Sequence, residues 1–185
     1  MKFCSACGAT VTMRIPQGDT ALRHVCDTCG EIHYQNPKLV VGAIALWGDQ
    51  ILLCRRAIEP RLGKWTLPAG FMENEETTAE AAARETLEEA CARVEIDAPF
   101  AMVNIPRISQ VHLFYRGRLL APDFAAGDES LEVGLFDEAD IPWDTLAFRS
   151  VGLTLTRFFE DRRKARFGFH SADLDITAPL AGHGT

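Results

Sequence analysis

The sequence predicts an α/β protein, an α/β/α sandwich with a mixed sheet, preceded by a small cysteine-rich module. Three observations support this prediction. The apolar patterns of residues 38–165 predict three strands, a helix, a further group of strands and a second helix, which is typical of a sheet covered by helices. Two Cys-x-x-Cys pairs lie within the first 29 residues. A glutamate-rich helical segment follows the third strand of the main domain.

Length and composition limit the classes of function. The 185 residues suffice for one domain plus a small module, and 47% hydrophobic with 24% charged residues indicates a globular chain. A net charge of −7 argues against nonspecific nucleic-acid binding, which needs a basic surface. The longest apolar run, 39–47, is too short for a membrane span, and the N-terminus lacks a signal-peptide apolar region. We therefore expect a cytosolic protein.

The cysteine spacing predicts a metal site. Four of the six cysteines form two Cys-x-x-Cys-Gly units, and in a cytosolic chain this favours a tetrahedral zinc site over disulfides or redox thiols. The predicted ligands are Cys4, Cys7, Cys26 and Cys29. The other two cysteines, Cys54 and Cys91, are predicted to be small buried side chains.

The zinc ligands define a zinc ribbon over residues 1–34. Two short strands, 11–15 and 22–25, flank a turn at 16–19. A segment this short needs its metal in order to fold. Residues 34–37 form a linker to the next domain.

The main domain is predicted to span residues 38–165, and a less regular C-terminal tail covers 166–185. Its predicted strands are 39–47, 51–56, 65–69, 94–96, 100–105, 110–120 and 131–136, with helices at 77–91 and 145–163. A hairpin turn at Gly48-Asp49 joins the first two of these strands. Gly70 fits a backbone turn or a close approach to a ligand.

The first helix carries the most informative pattern. Thr77 and Glu80 form a capping box, which makes Thr77 the N-cap. Glu85, Glu88 and Glu89 share one face at spacings i, i+3 and i+4, where like charges repel unless a divalent cation lies between them. The stripe on the opposite side of the helix is predicted to pack on the core, and it contains Ala79, Ala83, Thr86, Leu87, Ala90 and Val94. The alternative is a solvated acidic helix.

This pattern resembles the Nudix box, G-x5-E-x7-R-E-x-x-E-E. The matching residues are Gly70, Glu76, Arg84, Glu85, Glu88 and Glu89. Two positions differ: Thr86 stands where the family usually has an aliphatic residue, and Cys91 where it usually has glycine. Because glycine suits a left-handed helix end, we expect the helix to exit differently at Cys91. The resemblance also implies the Nudix α/β/α sandwich.

The resemblance implies roles for the site residues. Glu85, Glu88 and Glu89 would bind Mg²⁺ or Mn²⁺ together with the backbone carbonyl of Ala69. Arg84 would hold a glutamate of the cluster, with Glu76 as the candidate partner; the alternative is a surface pair between Arg84 and Glu80.

The general base has three possible sources. Glu129 is the predicted one, in a loop beyond the box, and Glu132 is a second candidate that could instead be only a strand-edge residue. The third possibility is a water activated by metal without a protein base.

Substrate contacts are less defined by the sequence. Basic residues near strand ends or loops include Arg56 and the predicted substrate-binding set, which is Arg55, Arg61, Lys64 and Arg107. One or two of them are expected to meet a diphosphate. Tyr34, Trp65 and Phe71 could stack on a base or belong to the core.

The presence of a zinc ribbon narrows the choice among the branches of the Nudix family. An NAD-hydrolysing branch carries a Ser-Gln-Pro-Trp-Pro-Phe-Pro-like motif after the box, which residues 99–110 lack. Residues 34–42, 65–71 and 99–106 are more similar to zinc-ribbon Nudix proteins that hydrolyse FAD or ADP-ribose, releasing AMP. The implied partner is therefore a small dinucleotide-type substrate, not nucleic acid or membrane, and the family default is a homodimer. A nucleoside triphosphate pyrophosphohydrolase or a non-catalytic ligand sensor are the alternatives.

Overall fold

The computed structural model describes residues 1–175, and the chain divides into two compact units. The first unit, Met1–Pro37, is a three-stranded antiparallel sheet in the order β1-β2-β3. Its strands are β1 (Val11–Arg14), β2 (Arg23–Cys26) and β3 (Ile32–His33). The turn between β1 and β2 is the one that the sequence predicts at 16–19.

The second unit begins at Lys38 and contains two α-helices and eight strands among its described residues. In chain order these are β4 (Lys38–Trp47), β5 (Gln50–Arg56), β6 (Trp65–Thr66), β7 (Ala69–Phe71), α1 (Thr78–Ala90), β8 (Val94–Ile105), β9 (Gln110–Leu119), β10 (Ser130–Phe136), α2 (Arg149–Arg163) and β11 (His170–Asp173). No helix in residues 1–175 is long and apolar enough to cross a membrane.

The strands form one mixed sheet, which confirms the predicted fold class. Its order is β10-β5-β4-β9-β8-β11, with β6 paired to β5 and β7 paired to β4. The β4–β9 and β8–β11 pairs are parallel, and the other pairs are antiparallel. The short strand β7 therefore adds to the β4 edge and delivers its residues beside α1.

Alternation along β4 places a helix on each face of the sheet. Val41 and Ala43 pack with Ala81 and Ala82 of α1. Ile44, the next residue after Ala43, faces the opposite side of the sheet. It packs in the core cluster that contains Val151, Leu155, Phe158 and Phe159 of α2. The sheet is thus covered on both sides.

Three segments of the main domain differ from the prediction. The predicted strand 65–69 is divided into the two short strands β6 and β7. Residues 94–105 form one strand, β8, because register irregularities around Pro99 absorb the break that the sequence suggests. Helix α2 begins at Arg149 and not at Thr145. The preceding backbone is used elsewhere, since Leu146 bridges Trp65 and Ala147 N–H donates to the Trp65 carbonyl at 2.7 Å.

The tail prediction is wrong for its first half. Residues 170–173 form β11, which extends the sheet in parallel beside β8. The Asp161 carboxylate near the end of α2 accepts hydrogen bonds from Gly168 N–H at 3.0 Å and from His170 Nε2 at 2.8 Å. The prediction for residues 176–185 lies outside the described part of the chain.

Helix α1 confirms its predicted cap and part of its predicted packing face, since Thr86 and Ala90 are buried. Thr77 accepts from Glu80 N–H while Glu80 accepts from Thr77 N–H, a complete capping box. Leu87, predicted to be packed, is 47% exposed. The buried face instead contains Ala81, Ala82, Glu85, Thr86, Glu89 and Ala90. The carboxylates therefore point toward the sheet, and the Thr86 hydroxyl is satisfied by the Ala82 carbonyl at 2.8 Å.

Both expectations for Cys91 are wrong. The helix ends in the usual left-handed conformation, with Cys91 at φ 49° and ψ 25°, although the residue is not glycine. Its side chain is exposed and not buried. Cys54 in β5 is buried as predicted.

Candidate active site and zinc ribbon

Glycine at position 70 lets a carboxylate of α1 press against β7. A Cβ on Gly70 would overlap both oxygens of Glu85, so any side chain there would displace that carboxylate. Gly42 of β4 has a similar role one strand away, since its Cβ would overlap the Pro68 carbonyl and the Ala69 side chain. Together the two glycines allow β4, β7 and α1 to approach closely.

Glu85 and Glu89 form a buried carboxylate pair. Their exposed fractions are 8% and 6%. Glu89 Oε2 accepts from Ala69 N–H at 3.3 Å, which joins the end of α1 to the start of β7. Burial raises the pKa of Glu89 to about 8, and the Glu85 charge contributes to this rise. Burial also raises the pKa of Glu85, although Arg84 opposes the change.

Arg84 links the glutamates into one network. Its Nε and Nη2 donate to the two oxygens of Glu76 at 3.0 and 2.8 Å, a bidentate pair. Its Nη1 donates to Glu85 at 2.8 Å and to Glu88 at 2.9 Å. Arg84 holds the pKa of Glu76 down, at about 2. Glu80 serves the helix cap, so the structure shows the Glu76 pair and not the alternative pair with Glu80.

Glu88 differs from its two neighbours in burial. Its side chain is 57% exposed and is held by Arg84 from the next turn. The cluster thus has two buried carboxylates and one at its rim. Ala69 joins it through its N–H group.

The loop before β10 brings Glu129 to the cluster. The negative charge of Glu129 contributes to the raised pKa of both Glu85 and Glu89. The Glu129 carbonyl accepts from Ala57 N–H at 2.8 Å, which ties the loop to the end of β5. Glu132, the other candidate base, pairs with Arg55 at 3.4 Å on the exposed edge of β10.

Among the basic residues, Arg56 has the clearest link to the carboxylates. Its charge opposes the rise in the pKa of Glu89. The guanidinium lies 5.2 Å from the centre of the Phe148 ring, and Nε donates to the Pro60 carbonyl at 2.9 Å. The predicted substrate-binding set did not contain Arg56, whose position at the end of β5 was the available signal.

The predicted basic set lies in two places. Arg55 closes the β5–β6 loop through a bond from Nε to the Gly63 carbonyl at 3.0 Å. Arg61 and Lys64 belong to that same loop, where Lys64 N–H donates to the Arg61 carbonyl. Arg107 lies in the 3-10 turn Pro106–Ile108. Within residues 1–175, no contact links Arg107 to the carboxylates.

The three aromatic residues that could stack on a base lie in three different environments. Trp65 packs on the core, with an edge-to-face contact to Phe136 at 4.9 Å between ring centres. Phe71 is 48% exposed, and Lys38 Nζ lies 4.7 Å from its ring centre. Tyr34 belongs to the first unit, where Arg23 lies 5.1 Å from its ring centre.

Two residues beneath Glu89 were missed by the sequence reasoning. Burial raises the pKa of the Cys54 thiol, and the Glu89 charge contributes to this rise. Ser130, which hydrogen-bonds with Cys54, is also buried. Their only sequence signal is a position on strands whose ends meet at the cluster.

The carboxylate site fits a hard divalent cation. Two buried carboxylates, a third at the rim and one arginine leave an excess of negative charge, and burial makes the ionised form costly without a further cation. Oxygen donors of this kind are those that Mg²⁺ and Mn²⁺ prefer.

The four predicted cysteines of the first unit form a separate cluster. Their sulfur atoms all lie within 4.8 Å of one another, and Cys4–Cys29 and Cys7–Cys26 are 3.7 and 3.5 Å apart. A zinc tetrahedron with Zn–S bonds of about 2.3 Å has edges of about 3.8 Å, so the arrangement fits. The Cys29 and Thr28 N–H groups lower the pKa of Cys26 to about 6. His33 Nε2, which was not predicted, lies 3.3 Å from Cys4 Sγ.

Each of the two units matches a known protein family. Residues 2–35 match the model described as Nudix N-terminal, a zinc ribbon, and residues 36–149 match the NUDIX domain model.

Solved structures and a curated relative are similar to this chain. A NUDIX hydrolase from Nitrosomonas europaea is 55% identical, with a TM-score of 0.91, covering 94% of this chain and 99% of that one. An ADP-ribose pyrophosphatase from Streptococcus suis is 26% identical, with a TM-score of 0.61, covering 74% and 99%. The ADP-ribose pyrophosphatase of Methanocaldococcus jannaschii is 28% identical over 113 residues, 59% of this chain and 67% of that protein.

Proposed function

The chain belongs to the Nudix hydrolase family, and from that premise we propose that it hydrolyses the pyrophosphate bond of an ADP-X compound, ADP-ribose or FAD, and releases AMP. The observation that carries the proposal is the buried Glu85–Glu89 pair, held against β7 by Gly70 and joined to Arg84. A structural role alone would not require two carboxylates with so little exposure and so few positive partners.

Glu85, Glu88 and Glu89 are the proposed ligands of Mg²⁺ or Mn²⁺, together with the Ala69 carbonyl. When bound, such a cation neutralises phosphate oxygens and assists the attack of water. Arg84 orients Glu85 and Glu88, and Glu76 fixes Arg84 by its bidentate pair. Gly70 provides the space in which Glu85 reaches this position.

Glu129 is the proposed general base. Its loop is anchored to β5 and its charge is felt by both buried carboxylates, whereas Glu132 is engaged by Arg55. Glu129 would accept a proton from the attacking water, and as an exposed side chain it could return that proton to solvent.

Arg56 is the proposed contact for the substrate diphosphate. Its positive charge lowers the pKa of Glu89. Contacts with the Phe148 ring and the Pro60 carbonyl fix the orientation of its guanidinium. Arg55, Arg61 and Lys64 border the same loop and stay candidates for the rest of the substrate. Arg107 stays a prediction from the sequence.

The cysteine cluster is proposed to hold structural Zn²⁺ and to keep the first unit folded. A homodimer and a cytosolic location stay predictions from the sequence.

ADP-ribose is supported by the two relatives that carry this name, at 28% and 26% identity. FAD rests on the sequence resemblance alone. Both compounds present the same ADP moiety, so the proposed chemistry is the same for each.

A panel assay tests this proposal. The purified protein is incubated with ADP-ribose, FAD, NADH and nucleoside triphosphates in Mg²⁺ or Mn²⁺, and the products are separated by chromatography. We expect AMP with ribose 5-phosphate or FMN. Pyrophosphate release from triphosphates would identify the alternative enzyme class, and no turnover by folded, metal-replete protein would favour a ligand sensor.

A further inference from the structure

The loop that carries Glu129 is seated on the C-terminal end of α1. The last carbonyls of a helix have no partners within it. Here Ala125 N–H donates to the Ala90 carbonyl at 2.9 Å, and Gly127 N–H donates to the Glu89 carbonyl at 3.1 Å. The loop therefore closes the helix end at the residue that supplies the buried carboxylate.

Gly127 is the point of closest approach. A Cβ on this residue would overlap the Glu88 carbonyl oxygen, which is backbone and cannot swing aside. The φ angle of Gly127 is not in the left-handed region, so its backbone conformation does not explain the glycine. The reason is the absence of a side chain where the loop meets the helix.

The short segment after Gly127 has little freedom. Ser130 N–H donates to the Gly127 carbonyl at 3.0 Å, which closes a tight turn around Glu129. Ala57 N–H holds the Glu129 carbonyl, and the buried Ser130 begins β10. On the other side, Phe124 packs against the cluster that contains Ala90 and Cys54.

We infer that Gly127 is a positioning residue for catalysis: its missing side chain lets the loop seat on the carbonyls of Glu88 and Glu89, and this contact sets the position of Glu129, two residues further along the loop, at the end of α1 that carries these glutamates. The inference rests on the proposed function, in which Glu129 is the general base. A displacement of about 1 Å at such a group lowers a rate by about 100-fold.

The test is a double-mutant cycle on kcat and KM in the full-length protein. We expect Gly127→Ala to lower kcat for ADP-ribose by about 100-fold while KM changes by less than about twofold. In the Glu129→Gln background the same substitution should change kcat by less than about twofold, because the group it positions is gone. An equal loss of kcat in both backgrounds, or no loss from Gly127→Ala, would overturn the inference.

Two further variants make the cycle decisive. Gly168→Ala is the matched control, because its Cβ meets nothing within 4 Å and its φ is not left-handed; it should change neither parameter. Phe124→Ala loosens the loop without a clash, and it should reproduce the low kcat and the loss of effect in the Glu129→Gln background. It replaces Gly127→Ala if that variant does not fold.

Mn²⁺ affinity, measured by titration without substrate, gives a readout independent of turnover. Gly127→Ala and Glu129→Gln should weaken Mn²⁺ binding by similar factors, and the double variant should match the single variants. If the wild-type protein hydrolyses no ADP-X compound, the proposed function fails, while the Mn²⁺ cycle still shows whether Gly127 positions the Glu129 carboxylate. Equal weakening of Mn²⁺ binding by Gly127→Ala in both backgrounds would overturn it.

Discussion

The proposed chemistry of this protein depends on two acidic residues that the fold buries. Glu85 and Glu89 are acidic side chains on the buried face of a helix, where an ionised carboxylate costs free energy. Gly70 leaves room for one, and Ala69 donates a hydrogen bond to the other. A bound divalent cation would offset the cost that these interactions leave, so metal binding and ionisation are coupled.

Glu89→Gln should change how the stability of the Mg²⁺- and Mn²⁺-free protein depends on pH. The pKa of Glu89 is about 8 in the folded protein and about 4.3 in an unfolded chain. Between these two pH values the folded state binds more protons at Glu89 than the unfolded state does. The stabilising contribution of protonated Glu89 to the free energy of unfolding is therefore fully present below about pH 4.3 and is lost as the pH rises through about 8.

Thermal melts from pH 5 to 8 measure this effect. The melting temperature of the wild type should fall relative to that of Glu89→Gln as pH rises, and added Mn²⁺ should restore it. Glu73→Gln, at an exposed position of the same acidic segment, is the control. Parallel curves for wild type and Glu89→Gln would refute the raised pKa.

Arg84→Lys should lower activity without unfolding the protein. A lysine keeps the charge but cannot donate the forked pair to Glu76 while also reaching Glu85 and Glu88. We expect kcat for ADP-ribose to fall by about 10–100-fold. Arg157→Lys, at a pair three residues apart on α2, should be silent. Unchanged kinetics in Arg84→Lys would show that charge alone is sufficient.

At the scale of elements, short segments decide where the proposed catalytic groups lie. Strand β7 has three residues, yet its pairing with β4 sets Ala69 and Gly70 beside α1. The zinc ribbon is a three-stranded sheet in which Cys4, Val25 and Cys26 are the buried apolar side chains. Such a small core cannot stabilise a fold by itself, which is why the cysteine cluster matters.

We expect Cys26→Ser to unfold the zinc ribbon before it lowers the turnover of substrate. Cys26 is fully buried, and its thiolate accepts from two backbone N–H groups, so its loss removes a ligand and part of the core. Bound zinc, measured by mass spectrometry, should fall together with ribbon protection from hydrogen exchange. Cys91→Ser, an exposed cysteine outside the cluster, should retain both. A ribbon that stays folded without zinc would contradict this account.

Asp161→Ala should release β11 from the sheet. The substitution leaves Gly168 N–H and His170 without their acceptor, at a cost of about 1–3 kcal/mol. Amide exchange in residues 170–173 should accelerate, while α1 is unaffected. Asp144→Ala, an exposed aspartate, serves as control. Unaltered exchange in β11 would show that its pairing with β8 suffices.

At the scale of the whole molecule, the sequence was most informative where patterns are local. The strands at 39–47, 51–56, 110–120 and 131–136, the capping box at Thr77 and the cysteine cluster follow from local patterns, and the structure contains each of them. The buried face of α1 was predicted only in part, because periodicity places Glu85 and Glu89 opposite the packed stripe, whereas a tertiary contact with β7 buries both.

The remaining differences have the same origin. Strand β11 consists of His170, Ser171, Ala172 and Asp173, which show no apolar alternation, and only its parallel pairing with β8 defines it. The importance of Gly127 follows from a carbonyl of α1 that lies 39 residues earlier in the chain, since Glu88 and Gly127 meet only after folding. Arg56 was undervalued for a similar reason, because its relation to Glu89 is tertiary.

The most direct test of the central claim compares ADP-ribose turnover by wild type, Glu89→Gln and Glu73→Gln over a Mn²⁺ titration. We predict that wild type and Glu73→Gln release AMP in proportion to bound metal. Folded Glu89→Gln should lose at least about 100-fold in kcat and bind Mn²⁺ more weakly. Full metal-dependent turnover in Glu89→Gln would contradict the assignment of the buried carboxylate pair as the metal site.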